Sequence, residues 1–196
     1  SHNAKLGCRF YHKKAMYFGC LNKSDYICNY NKFVYTMIKF HDVKTTDREL
    51  VQSYTLCSDR QNCDLSFANI ISWRFLYNTQ IAEVDGFLVF RFYIGHHLAY
   101  MAPVWKGEWN ELMSEPFAKV VRQMRDDSIT LGHPFLMLGV CTNMVEILER
   151  IFPDTFYIKP DRDYFDYIYT REKLATLAGK KLQSKRNHCN RFRKTY

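Results

Sequence analysis

No apolar run in these 196 residues approaches the roughly 20 needed to cross a bilayer as a helix. The first residues also lack the basic, apolar and small-residue succession of a secretory signal. The chain therefore reads as cytoplasmic, with peripheral contact at a membrane surface left open. Seven cysteines, at 8, 20, 28, 57, 63, 141 and 189, are odd in number and irregular in spacing. Without an export signal they read as reduced thiols, not as a disulfide framework. There is no internal repeat and no low-complexity tract, while 47% hydrophobic and 16% aromatic content supports a sizeable core. One domain, or one domain with an appendage, is expected.

Acidic residues are absent from one stretch in particular. Residues 179–194 gather seven Lys/Arg and no Asp or Glu. From Arg171 to Tyr196 nine cations face one acid, and residues 1–36 hold six against one, so the ends carry +8 and +5. With +8 for the whole chain, residues 37–170 are left at −5. A mildly acidic body with two basic ends points to phosphate-bearing partners, and says nothing about fold.

Residues 1–36 follow neither a period of 2 nor one of 3.6, and read as an irregular basic extension outside the fold. Cys8, His12, Cys20 and Cys28 suggest a zinc site, but their gaps contain no C-x2-C knuckle. The fold is expected to start near Met37. Thr46-Asp47-Arg48-Glu49 has the form of a capping box, predicting a short helix to about Tyr54. A second helix opens at Asp64, with Leu65, Phe67, Ile70, Ile71, Trp73, Phe75 and Leu76 making a face broad enough to be covered on most sides. Ile81–Val84, Asp85-Gly86 and Phe87–Ile94 spell a hairpin with a type I′ turn, and Leu98–Met101 supplies a third strand. A helix over about Trp109–Asp127 starts late or kinks at Pro116. Pro134–Val140 reads as a buried strand and Thr142–Phe152 as a helix stopped by Pro153. Phe156–Lys159 and Tyr164–Tyr169 read as strands around the turn Pro160–Asp163. Lys180–Lys194 reads as a helix after Gly179. This order implies an α/β (α+β) fold, a mixed central sheet flanked by helices.

Several motifs carry a resemblance. Ser58–Phe67 (Ser-Asp-Arg-Gln-Asn-Cys-Asp-Leu-Ser-Phe), Ser72-Trp-Arg74, Leu136–Val140, Leu174–Lys181 and Lys185-Arg-Asn-His188 make residues 37–196 similar to the phosphatidylglycerol lysyltransferase C-terminal-like family. The resemblance implies two tandem N-acetyltransferase-like folds, with transfer of an amino acid from charged tRNA to a lipid head group. On this reading residues 37–178 are the first acyltransferase-like domain, and 179–196 are a basic helix leading into a second fold beyond Tyr196. The chain would then be truncated, a fragment inactive by itself.

The candidate phosphate-binding residues are Lys180, Lys181, Lys185, Arg186, Asn187, His188 and Arg191, facing aminoacyl-tRNA or an anionic phospholipid surface. Helical spacing puts Lys181, Lys185, His188 and Phe192 along one line, and Arg186, Asn190 and Arg193 along another. A solvated connector is the competing reading of the same helix, and a non-catalytic module binding RNA, membrane or protein the competing function. No cofactor is expected, because the Arg/Gln-x-x-Gly-x-Gly/Ala turn that grips coenzyme A pyrophosphate is missing, Arg122-Gln123-Met124-Arg125 containing no glycine. Cys57, Cys63 or Cys141 could pair on paper with His96, His97 or His133 as nucleophile and base, although an apolar-flanked Cys141 suits a core. Asp161, Asp163 and Asp166 could hold a metal, or form a solvated turn.

Overall fold

The computed structural model describes residues 37–58, 60, 62–160, 162 and 165–196. The extension 1–36, with Cys8, His12, Cys20 and Cys28, lies outside the described residues, as do Asp161, Asp163 and Tyr164. The described residues fall into two compact units, 37–166 and 167–196.

The first unit is built on a five-stranded mixed sheet flanked by helices, the fold class the sequence implies. Strands β1 (His41–Asp42), β2 (Gln80–Val84), β3 (Phe87–Ile94), β4 (His97–Met101) and β5 (Met137–Leu138) lie in sequence order. The first four are antiparallel, and β5 runs parallel to β4, with Tyr100 opposite Met137 and Met101 opposite Leu138. Asp85 and Gly86 both take positive φ, 48° and 82°, as the type I′ turn between β2 and β3 requires.

β3 explains the two-layered core. Its successive side chains point to opposite faces. Phe87 and Val89 join a cluster with Leu98, Tyr100, Phe117, Val120, Met124, Met144 and Leu148, from β4, α3 (Ser114–Thr130) and α4 (Thr142–Ile151). Leu88 and Phe90 join Val51, Tyr54, Leu65, Ile70 and Ile81, where α1 (Arg48–Thr55) and α2 (Phe67–Tyr77) cover the other face. A strand covered on both faces needs an unbroken apolar run, which Phe87–Phe90 is. Each such side chain contributes roughly 1.5–3 kcal/mol of burial free energy.

A polar network stitches the sheet to α3. Arg91 of β3 donates to both carboxylate oxygens of Asp127, at 2.9 and 2.8 Å, and Tyr100 of β4 donates its hydroxyl to the same carboxylate at 2.6 Å. Gln80 of β2 accepts from Arg91 Nε at 3.0 Å and donates to Asp42 of β1 at 2.9 Å. Burial, and then the bond to the Asp127 carboxylate, push the Tyr100 phenol above its ordinary value.

Four expectations need correction. The Thr46/Glu49 box gives way to Asp47, whose carboxylate reaches back to the Lys44 N–H at 2.7 Å from a 3-10 turn over Thr45–Asp47. The broad face of α2 is half covered: Ile70 is buried, but Trp73, Phe75 and Leu76 are 54%, 77% and 65% exposed. Pro134–Val140 supplies only two strand residues, Met137 and Leu138, paired with Tyr100 and Met101. Phe156–Lys159 and the described residues 165–169 form no strand. So short a β5 offers them no ladder, and Phe156 packs instead on the rings of Phe135 and Phe152. The helix expected over about Trp109–Asp127 does start late, as Pro116 argues: a 3-10 turn at Glu111–Met113 runs into α3 at Ser114, which leaves Pro116 in the tolerant first turn.

In the second unit, α5 (Arg171–Thr176) is capped by the Thr170 hydroxyl, which accepts from the Lys173 N–H at 3.4 Å. A 3-10 turn over Lys180–Leu182 then leads into α6 (Gln183–Thr195), as the sequence predicts.

Candidate functional site

The carboxyl ends of β4 and β5, the sheet's parallel pair, are where two of the family-like segments of the first unit, 58–67 and 136–140, converge. In open α/β sheets ligands lie beyond the carboxyl ends of parallel strands, and β4 and β5 are the one parallel pair among the described strands. Arg60 ties the 58–66 segment there, donating Nη1 to the Ala102 carbonyl at 2.7 Å and Nη2 to that of Pro103. Its guanidinium also lies 4.8 Å from the centre of the Trp105 ring. Gly107 donates to the Cys57 carbonyl at 3.0 Å, holding the start of the same segment.

Asn62 caps the next turn, its Oδ1 accepting from the Asp64 N–H at 2.9 Å. The same side chain lies against Gly139, which has φ 67°; a Cβ there would come within 3.6 Å of Asn62 Nδ2 and Met101 Cε. The Asp166 carboxylate accepts from the Cys63 N–H at 3.3 Å and from its thiol at 3.1 Å. Cys141 donates its thiol to Asn143 in the first turn of α4. Residues 58–66, 102–107, 139–143 and Asp166 thus meet at one end of the sheet.

The cysteines and histidines do not meet. Cys57, Cys63 and Cys141 all belong to the carboxyl end of β4. His96 and His97 sit at its amino end, where His97 starts the strand. His133 packs its ring on Tyr93, opposite Leu98, at that same end. The five residues of β4 separate the two groups by roughly 16 Å, so the paper pairings of cysteine with histidine fail on geometry. Asp166 is a hydrogen-bond partner of Cys63. Among the described residues, no group of three or more His, Cys, Asp or Glu side chains could hold a metal ion.

The basic residues singled out from the sequence all lie in the second unit. Lys180 and Lys181 stand in the 3-10 turn, with Lys185, Arg186, Asn187, His188 and Arg191 on α6. At 100° per residue Lys185, Arg193, Lys194 and Arg191 distribute around the helix, so this unit presents positive charge on several sides. Arg186 serves the local fold, since its Nη1 donates to the carbonyls of Leu177 and, at 2.8 Å, Gly179, beyond the end of α5. Leu177 itself adopts the left-handed conformation that closes α5. The Lys185 ammonium lies 5.6 Å from the centre of the Tyr169 ring. Phe192 and Tyr196 lie one turn apart, 5.0 Å between ring centres with the rings tilted by 39°, and both are exposed.

Sequence reasoning missed α5, although Thr170 followed by Glu172 is a recognisable helix start. It also missed Arg60 and Asn62 as the residues that fasten the 58–66 segment. Only the family likeness had singled that segment out, since a polar stretch carries no sign of which backbone carbonyls it will meet.

Among the described residues no helix is long and apolar enough to cross a membrane. The model of the family described as phosphatidylglycerol lysyltransferase, C-terminal, matches residues 57–196. No curated protein matches the chain significantly. Among solved structures, a conserved protein of unknown function from Bacteroides thetaiotaomicron is 52% identical, with a TM-score of 0.72. The match covers 82% of this chain and 51% of that one, so this chain spans about half the length of that relative.

Proposed function

The chain belongs to the phosphatidylglycerol lysyltransferase C-terminal family, and on that premise we propose that it is the first fold of a tandem, N-acetyltransferase-like transferase. Such an enzyme moves an aminoacyl or acyl group from an activated donor to a lipid head group or another acceptor. Aminoacyl-tRNA is the proposed donor, and an anionic phospholipid surface the proposed partner on the acceptor side. The observation that carries the reading is the run 179–194, seven cations without an acid, folded into a 3-10 turn and an exposed helix. Lys180, Lys181, Lys185 and Arg191, with Asn187 and His188 beside them, would orient phosphates there. Arg186 would hold the turn that presents them.

A charged ester is already activated, so chemistry on it rests on positioning and on stabilising developing charge. The carboxyl ends of β4 and β5, where 58–66, 102–107 and 139–143 meet, would receive the reacting group. The reading needs no coenzyme A. The segment joining β4 to α3 holds one glycine, Gly107, too few for an Arg/Gln-x-x-Gly-x-Gly/Ala turn, and turns Trp105 and Trp109 into an aromatic cluster with Phe117.

The test supplies the full-length gene product with tRNA carrying a labelled amino acid and with vesicles containing phosphatidylglycerol. Label moving into the lipid, less of it with Lys185→Ala/Arg191→Ala, is the expected result. Saturable tRNA binding with the ester intact, whatever lipid or amine acceptor is added, would make this a binding module and not an enzyme.

A further inference from the structure

α2 carries large apolar side chains on both its inner and its outer side. Ile70, with Phe67 and Ile71, faces the core under β3. Ala68, Ser72, Phe75, Leu76, Asn69 and Trp73 make up the outer side, and its three large members are more than half exposed. The Trp73 and Tyr77 rings lie 6.3 Å apart, extending this surface to the end of the helix at Asn78. A helix with large apolar side chains on both sides is one with cover on both sides, and an exposed apolar patch of this kind marks an interaction surface.

The chemistry of the patch decides between a lipid and a protein cover. Helices that lie in a membrane surface carry Lys and Arg along the rim of the apolar face. From Leu65 to Ala82 there is no acid and a single cation, Arg74. That guanidinium is turned inward to the Ile71 carbonyl and lies 3.8 Å from the centre of the Phe75 ring. Within this stretch no cationic rim remains for lipid phosphates. The occupant is protein. Nearly half of the solved relative's chain lies outside the part matched here, which is polypeptide enough for another fold.

We infer that the outer face of α2, centred on Trp73, Phe75 and Leu76, is the docking surface for the second fold of the full-length protein. The inference rests on the tandem organisation proposed above and adds where the folds meet. Phe75→Asp/Leu76→Asp is made in the full-length gene product and in the 196-residue chain. In the long protein the substitutions are expected to lower the thermal midpoint by several degrees, or split one unfolding transition into two. In the short chain, where the face meets water, they are expected to leave the midpoint unchanged.

Acrylamide quenching of Trp73, read as the difference between wild type and Trp73→Phe, is expected to be several-fold weaker in the long protein. Equal quenching in both, with no change in unfolding, overturns the inference. So does a gene product ending at Tyr196, and so does loss of vesicle binding or of self-association as the main effect of the substitutions. Docking without aminoacyl transfer would sink the transferase reading alone. Transfer without docking would sink this one alone.

Discussion

Arg91 holds both carboxylate oxygens of Asp127, at 2.9 and 2.8 Å, across the contact between β3 and α3. The pair is nearly out of solvent, with side-chain exposures of 16% and 6%. Removing one partner of such a pair leaves the other charged and unsatisfied, which costs more than the pair contributes. Asp127→Ala is therefore expected to destabilise the chain by about 3 kcal/mol, towards the lower end for buried pairs because Arg91 keeps some water contact. Urea unfolding checks this. A lowered midpoint with an unchanged slope is expected, and a loss below about 1 kcal/mol, the range of surface pairs, would contradict it.

Tyr100 shares that carboxylate, and its phenol is held above the ordinary value by burial first and the Asp127 bond second. In the unfolded chain a tyrosine loses its proton near pH 10. The folded state keeps the proton to higher pH, so the contribution of Tyr100 is complete below about pH 10 and declines above it. The decline is about 1.4 kcal/mol per pH unit. Stability measured from pH 8 to 11 should fall less steeply above pH 10 for Tyr100→Phe than for wild type. Parallel profiles would show that Tyr100 does not resist ionisation.

Lys185 and Arg186 are neighbours with different work. Arg186→Ala removes the guanidinium from the Leu177 and Gly179 carbonyls, and is expected to fray the α5–α6 turn. Faster limited proteolysis between about residues 177 and 183 reads this out. Lys185→Ala removes only a charge beside Tyr169 and should leave the cleavage rate unchanged. Equal rates in the two variants would contradict the division of roles.

Much of the first unit was legible in the sequence because its signals are local. Asp85-Gly86 carries its own turn geometry, and Phe87–Phe90 is apolar enough to announce a strand covered on both faces. Pro116 correctly placed the late start of α3. Phe156–Lys159 misled, because alternating apolar residues report side chains that need burial and not a strand that needs a neighbour. The rings of Phe135 and Phe152 supply the burial without any ladder. Trp73, Phe75 and Leu76 misled for the complementary reason: composition shows that a face is apolar, and only the fold shows that it stays exposed. Of the candidate site, the basic helix was visible as charge. The meeting of Asn62, Gly139, Cys63 and Asp166 was not, since it joins segments as many as 103 positions apart through single side-chain contacts.

Whether α6 and the turn before it hold phosphates is decided by tRNA binding to the 196-residue chain as salt is raised. Wild type is expected to bind at low salt, with log affinity falling linearly against log salt. Lys185→Ala/Arg191→Ala should flatten that line by about 0.7 to 0.9 per cation removed, while urea stability stays unchanged. No binding at low salt, or the same slope in the double variant, would contradict the phosphate-binding role of this helix.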